Sequence, residues 1–160
     1  MIQMTVHGLT IDPATNSPIL ILKDEAGQRT LPIWIGLLEA TAIASELEKV
    51  AFSRPMTHDL LKNLIGHLGC SVNRVEVTEL KDNTFYALIH LEGPQGASTM
   101  DSRPSDAIAL ALRAEAPIFV AEKVLEQSQV PGQGGRAEAD KSWEDILESM
   151  DPEDFGKYKM

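Results

Sequence analysis

Apolar and polar residues alternate over the first third of the chain, which predicts β-strands. In MIQMTVHGLTID, apolar positions 2, 4 and 6 share one face, and after Gly8 the apolar positions shift to 9 and 11. This shift predicts a bulge or bend at Gly8. The runs PILILKD and RTLPIWIG are predicted as two further strands, and Pro32 in the second favours an edge or strand-start position.

A helical period begins at Leu37 and predicts an amphipathic helix of about four turns that reaches Ala51, with Gly36 as its N-cap. A second helix is expected after SRPM, with Thr57 as its cap. Its buried stripe is predicted to consist of five large apolar residues: Leu60, Leu61, Leu64, Ile65 and Leu68.

The stretch DSRPSDAIALALR predicts a third helix with two different halves. Its apolar half, residues 107–112, carries no polar side-chain atom and is expected between two packed layers. A proline disfavours helical geometry in the residue before it, so Arg103 is the expected N-cap, Pro104 the first helical residue and Asp106 the third. The polar head of this helix must therefore face an opening or another polar group.

The rest of the pattern completes an α+β fold. SVNRVEVTEL and TFYALIHLEG are predicted to form a hairpin, GASTM an edge strand, and residues 118–120 a short buried strand. We expect a single compact domain over residues 1–127, with a mixed or antiparallel sheet and about three α-helices. Residues 128–141 are predicted as a flexible linker rich in glycine. Residues 142–160 are predicted as a tail with a short amphipathic helix, whose apolar side is Trp143, Ile146, Leu147 and Met150.

Composition narrows the classes of function. The chain has 160 residues, 24 acidic against 14 basic, and a formal net charge of −10, so its average surface repels nucleic-acid phosphates. No apolar run is long enough to span a membrane and no signal peptide is visible, so a cytoplasmic location is expected. The single cysteine, Cys70, excludes a disulfide within the chain. Motifs of serine hydrolases, P-loops and dinucleotide-binding folds are absent from the sequence.

Charged residues gather at the three predicted helix starts. Each acid alone is typical of helix capping, which stabilises a helix by about 0.3–1 kcal/mol. If the helix starts lie at the same end of the sheet, these groups converge in a cleft whose oxygen ligands suit Mg²⁺ or Mn²⁺ and whose arginines suit a phosphate. The candidates are Glu39, Arg54, His58, Asp59, Asp101, Arg103 and Asp106.

Three blocks of this sequence, RTLPIWIGLLEATAI, RPMTHDLL and DSRPSDAIALALRAEAPIFV, resemble the bifunctional nuclease family (BFN domain) in order and separation. The resemblance covers about residues 1–127. It implies a compact α+β domain, often a homo-oligomer. It also implies hydrolysis of phosphodiester bonds in DNA and RNA with a divalent cation. The seven candidate residues lie within the family's motifs, and the resemblance adds Ser105.

Two hypotheses follow. In the first, the protein is a metal-assisted nuclease without sequence specificity. Asp101, Asp106 and Glu39 would then bind the cation, with Asp59 as an alternative to Glu39, and His58 or a metal-bound water would act as the base. The substrate would be bound by Arg54, Arg103 and Ser105. In the second, the protein is a regulatory or binding module without catalytic activity, and the same acids and arginines form a structural salt-bridge network.

Overall fold

The computed structural model describes residues 1–128 and shows one seven-stranded mixed sheet with four α-helices. The strand order is β3-β2-β1-β7-β4-β5-β6, and all neighbours are antiparallel except the parallel pair β4–β7. The strands are β1 (Ile2–Ile11), β2 (Pro18–Asp24), β3 (Thr30–Trp34), β4 (Ser71–Lys81), β5 (Thr84–Gly93), β6 (Gly96–Ser102) and β7 (Ile118–Val120). The helices are α1 (Leu37–Leu47), α2 (Thr57–His67), α3 (Pro104–Ala114) and α4 (Glu122–Ser128).

Several local predictions are confirmed. The pairing of β1 with β2 shifts between Val6 and Gly8, so the predicted bulge is present and keeps Val6 and Leu9 on one face. Pro32 lies in β3, an outer strand of the sheet, where a missing N–H is tolerated. The GASTM segment forms β6 at the other edge.

Helix α3 is the centre of the hydrophobic core. It contacts α1 and α2 on its sides and β4 and β5 below, and residues 107–111 are almost completely buried. The apolar half of the helix therefore lies between two layers, as its composition predicts. The core residues of the sheet come from one face only and include Leu20, Leu22, Val75, Val77 and Val120.

Two helix predictions are wrong in part. Helix α1 ends at Leu47, three turns long, because Lys49 adopts a left-handed backbone conformation, and Val50 is exposed beyond it. Helix α2 begins at Thr57 with Met56 as its N-cap, so Thr57 is not the cap. No residue of α2 is buried, and three leucines of its predicted stripe are among the most exposed apolar side chains of residues 1–128.

The C-terminal end of the described chain adds a fourth helix, one more than predicted. Helix α4 buries Val124 and Leu125 and contacts β3 and β4. It ends at Ser128, the first residue of the predicted linker. The remainder of the linker and the predicted tail, residues 129–160, lie outside the described residues. No helix within residues 1–128 is both long and apolar enough to cross a membrane.

Candidate functional site

Three helix starts meet in one polar cluster, which we call the helix-start cluster and define as Glu39, His58, Arg103 and Asp106. The guanidinium of Arg103 donates from Nη1 to Glu39 Oε1 (2.9 Å) and from Nε to Asp106 Oδ2 (2.8 Å). His58 Nε2 lies 3.0 Å from the other oxygen of Asp106. Two carboxylates therefore link residues of α1, α2 and the start of α3, which lie up to 64 positions apart in sequence.

Local sequence rules place these side chains. Arg103 is the extended N-cap of α3, Pro104 opens the helix, and Asp106 occupies its third position, as predicted. In α1, Glu39 occupies the corresponding position, and its carboxylate folds back so that a Cβ on Gly36 would overlap Glu39 Oε2. Gly36 therefore leaves the space that this carboxylate fills.

The electrostatics of the cluster favour the ionised form of Asp106. Burial alone would raise the pKa of Asp106, but the hydrogen bonds and charges of Arg103 and His58 outweigh burial, so the pKa lies below its ordinary value of 3.8. The same contacts with Asp106 and Glu39 raise the pKa of Arg103. Arg103 has 63% of its side chain exposed, so the cluster is open to solvent on the arginine side.

Asp59 belongs to a different interaction. Its Oδ2 accepts the backbone N–H of Met56 (3.0 Å), and its Oδ1 accepts the Nε–H of Arg113 (2.9 Å). The hydrogen bond from Met56, with the further contribution of Arg113, lowers the pKa of Asp59 despite partial burial. Asp59 thus caps α2 and pairs with a buried arginine, and among residues 1–128 it shares no hydrogen bond or ion pair with the helix-start cluster.

Sequence reasoning missed Arg113. This residue is only 7% exposed, and it also donates to the carbonyl oxygens of Ala109 (2.8 Å) and Ala42 (2.9 Å). It therefore joins α1, α2 and α3 from inside the helix layer. The only signal in the sequence is a charged residue that directly follows the apolar half of α3.

The structure does not bring all the other candidates together. Asp101 is exposed and pairs with Leu88 in β5, while its neighbours in β6 pair with the core residues Ala87 and Ile89. Strand alternation therefore turns Asp101 to the sheet face away from the core.

Arg54 and Ser105 also lie apart from the contacts of the cluster. Arg54 lies in the exposed segment before α2, and no ion pair or side-chain hydrogen bond links it to another of residues 1–128. Ser105 is at the start of α3, but it is only 6% exposed. The exposed guanidinium of Arg54 is thus more accessible to a substrate than the hydroxyl of Ser105.

A divalent cation does not fit the cluster in this arrangement. The cation held by Glu39 and Asp106 is the guanidinium of Arg103, and the second oxygen of Asp106 faces His58. No group of three or more His, Cys, Asp or Glu side chains within residues 1–128 has the geometry of a metal site. The predicted set Asp101, Asp106 and Glu39 is not assembled, because Asp101 faces the other side of the sheet.

A second cluster of similar chemistry lies on that other face, and we call it the sheet-face cluster: Arg74, Glu76 and His90. Glu76 Oε1 accepts the Nε–H of Arg74 (2.7 Å), and His90 Nε2 lies 3.0 Å from Glu76 Oε2. Burial alone would raise the pKa of Glu76, but the contacts with Arg74 and His90 lower it overall. Arg74 and His90 line a cavity of about 260 Å³ beside β6. None of the three residues lies in the motif blocks of the sequence.

Comparison with known proteins identifies the family. The family described as "Bifunctional nuclease domain" matches residues 20–133. An uncharacterized protein of Mycobacterium tuberculosis is 38% identical over 162 residues, covering 96% of this chain and 97% of that protein. Bifunctional nuclease 1 of Arabidopsis thaliana is 31% identical over 107 residues (64% of this chain, 33% of the plant protein). Bifunctional nuclease 1 of Oryza sativa subsp. japonica is 24% identical over 116 residues (71% and 35%), so this chain spans about one third of the plant relatives. The chain therefore belongs to the bifunctional nuclease domain family.

Proposed function

We propose that the protein is a nuclease that hydrolyses phosphodiester bonds in DNA and RNA, and that the helix-start cluster is its site. The observation that carries this proposal is the pairing of an oriented histidine with an exposed arginine. His58 contacts Asp106, and Asp106 also holds Arg103. An acid–base group thus lies beside a group that binds phosphate. Membership of the family, whose plant members are named bifunctional nucleases, supports the same class of reaction.

In this proposal each residue of the cluster has a role that its contacts support. With Nε2–H donating to Asp106, His58 keeps a lone pair on Nδ1, which can accept the proton of an attacking water. Arg103 uses Nε and Nη1 for the two carboxylates, while Nη2 has no partner within residues 1–128 and can donate to a phosphate oxygen. Glu39 and Asp106 fix the plane of the guanidinium. The oxygen of this water forms the new P–O bond as the bond between phosphorus and the leaving oxygen breaks, and Arg103 stabilises the charge on the phosphate.

The divalent cation stays a prediction that rests on the resemblance. A bound Mg²⁺ or Mn²⁺ would supply Lewis-acid stabilisation of the phosphate and a more acidic water. Glu39 and Asp106 supply suitable oxygens, but Arg103 would have to leave them first. We therefore assign no catalytic step to a metal, and the assay treats the metal requirement as a variable. The homo-oligomer and the cytoplasmic location likewise stay predictions.

A specific observation favours a second candidate function, a regulatory or binding module without catalysis. The carboxylates of Glu39, Asp59 and Asp106 each contact an arginine, and the three helices are joined through these ion pairs. Such a network can stabilise a fold and imitate an active site. The net charge of −10 also disfavours a polyanionic substrate.

The test is cleavage of single-stranded DNA and RNA by purified protein with Mg²⁺, with Mn²⁺ and with EDTA. His58→Gln is compared with His90→Gln, because each histidine lies 3.0 Å from a carboxylate but only His58 belongs to the helix-start cluster. Arg103→Lys tests the arginine, with Arg74→Lys as its matched control. Folding of every variant is checked by circular dichroism.

We expect His58→Gln to lose about 100-fold or more in rate, the usual contribution of a general base. Arg103→Lys should lose a comparable amount, while both sheet-face variants keep the original rate. Equal losses in both pairs would assign the effect to general destabilisation. Activity that survives in folded His58→Gln and Arg103→Lys would remove the site from this cluster. No cleavage under any metal condition would favour the binding module.

A further inference from the structure

Helix α2 presents an apolar surface to solvent, which we call the α2 apolar face and define as Leu60, Leu64 and Leu68. These leucines follow one another at intervals of four residues and are 61%, 50% and 64% exposed. Eight of the twelve exposed large hydrophobic side chains in residues 1–128 lie between positions 38 and 68. An apolar surface of this density on a soluble domain indicates a covering partner.

The charges around this face are basic, although the chain as a whole is acidic. His67 is exposed on α2 three residues after Leu64, so it borders this face, and Arg54 is exposed three residues before the helix. The acid of the helix, Asp59, is paired with the buried Arg113 and neutralised by it. A partner of opposite charge would therefore carry apolar residues flanked by acids.

The chain contains such a segment. Residues 142–150 carry apolar side chains at positions 143, 146, 147 and 150, a spacing that places them on one side of a helix. Between positions 142 and 156 there are six acids and no base. The similarity to the Mycobacterium tuberculosis protein covers 96% of this chain, so it extends past Ser128 into this part of the sequence.

The length of the intervening chain allows contact. Residues 129–141 separate the end of α4 from the segment, and thirteen residues extend to at most about 45 Å. A domain of 128 residues has a radius of gyration of about 14 Å. The extended linker is therefore longer than the domain is wide, about 36 Å, and most of the surface is within reach of residues 142–150.

We propose that residues 142–150 dock on the α2 apolar face of the same molecule, with the side chains of Trp143, Ile146, Leu147 and Met150 against Leu60, Leu64 and Leu68. The acids of the segment then lie beside His67, toward the end of α2 that follows Arg54. Since α2 also carries His58, the docked segment lies on the helix that supplies the histidine of the helix-start cluster. The docking itself does not depend on the proposed nuclease activity.

Tryptophan fluorescence of the full chain tests this proposal. The chain has two tryptophans, Trp34 and Trp143, so Trp34→Phe leaves Trp143 as the only reporter. In this background Leu64→Glu places an acid on the α2 apolar face. Met100→Glu is the matched control, because Met100 is similarly exposed (54%) but lies on β6. Leu147→Asp changes the segment without touching the domain, and light scattering gives the molar mass.

We expect Trp143 emission to be blue-shifted relative to the urea-unfolded chain and independent of protein concentration, whether the molar mass is that of a monomer or of an oligomer formed through another surface. Leu64→Glu and Leu147→Asp should both shift the emission toward that of the unfolded chain, and Met100→Glu should leave it unchanged. Emission of Trp143 that already equals that of the unfolded chain would overturn the proposal. A dimer mass that falls to a monomer in Leu64→Glu, without any change in Trp143 emission, would assign the face to a second copy. If Leu64→Glu does not fold, Leu147→Asp still decides the outcome.

Discussion

The buried arginine of α3 gives the sharpest prediction about stability. We expect Arg113→Met to keep most of the volume of the side chain but to remove three hydrogen bonds: one to the carboxylate of Asp59 and two to the carbonyl oxygens of Ala42 and Ala109. Loss of one partner from a buried ion pair costs about 3–5 kcal/mol. The side chain of Asp59 is 35% exposed and can be hydrated, so we take the low end, about 3 kcal/mol.

The assay is urea unfolding of the full chain followed by far-UV circular dichroism, with a thermal scan alongside. A loss of about 3 kcal/mol corresponds to a fall in Tm of about 9 °C for a chain of this size. Arg29→Met is the matched control, because both members of its pair with Glu122 are exposed (48% and 65%) and its loss should cost less than about 1 kcal/mol. A loss below about 1 kcal/mol in Arg113→Met would refute the view that Arg113 holds the three helices together.

Three further predictions concern acids and backbone positions. The pKa of Asp106 is lowered in the folded state, so the unfolded chain binds more protons near pH 4. This contribution to the free energy of unfolding is complete above about pH 5 and is lost as the pH falls through the folded pKa, which lies below 3.8. When urea unfolding is measured from pH 6 to about pH 2.5, the free energy of unfolding should therefore fall less steeply in Asp106→Asn than in the original protein. In Gly36→Ala the new Cβ should displace the carboxylate of Glu39 and so shift the side-chain NMR signal of Arg103, at a cost of less than about 1 kcal/mol in urea unfolding. An unchanged Arg103 signal would contradict the overlap between this Cβ and Glu39 Oε2. Glu115 ends α3 in the left-handed region, so Glu115→Gly should raise the urea midpoint, with a gain of about 0.5–1 kcal/mol, and a lower midpoint would oppose this reasoning.

Sequence reasoning succeeded where the cause is local. A proline fixes the residue before it, so the start of α3 was predictable from Arg103 and Pro104 alone. A change in the alternation of apolar residues fixes a bulge, so Gly8 was predictable as well. The α+β class was predictable because strands and helices have different periods of apolar residues along the chain.

It failed where the answer depends on what packs against an element. The period of α2 shows which side is apolar but not whether another element covers it, so Leu60 and Leu64 were wrongly predicted as buried, whereas Leu61 and Ile65 of the same stripe do pack against the core. Asp101 is close to Asp106 in sequence, yet β6 continues to Ser102 and its alternation turns Asp101 away. Two of the partners of Arg113, Asp59 and Ala42, are 54 and 71 residues away, a separation that no local rule reaches.

The position of β7 has a consequence for synthesis of the chain. This strand of three residues joins two antiparallel units of three strands each, because it pairs with β1 on one side and with β4 on the other. As the chain leaves the ribosome, strands β1 to β3 and β4 to β6 can each pair locally, but the two units have no common neighbour until residues 118–120 emerge. Until then β1 and β4 each keep an open edge available for wrong pairing. The last strand within residues 1–128 therefore completes the middle of the sheet, and a nascent chain that stops before Ile118 would carry two unjoined half-sheets.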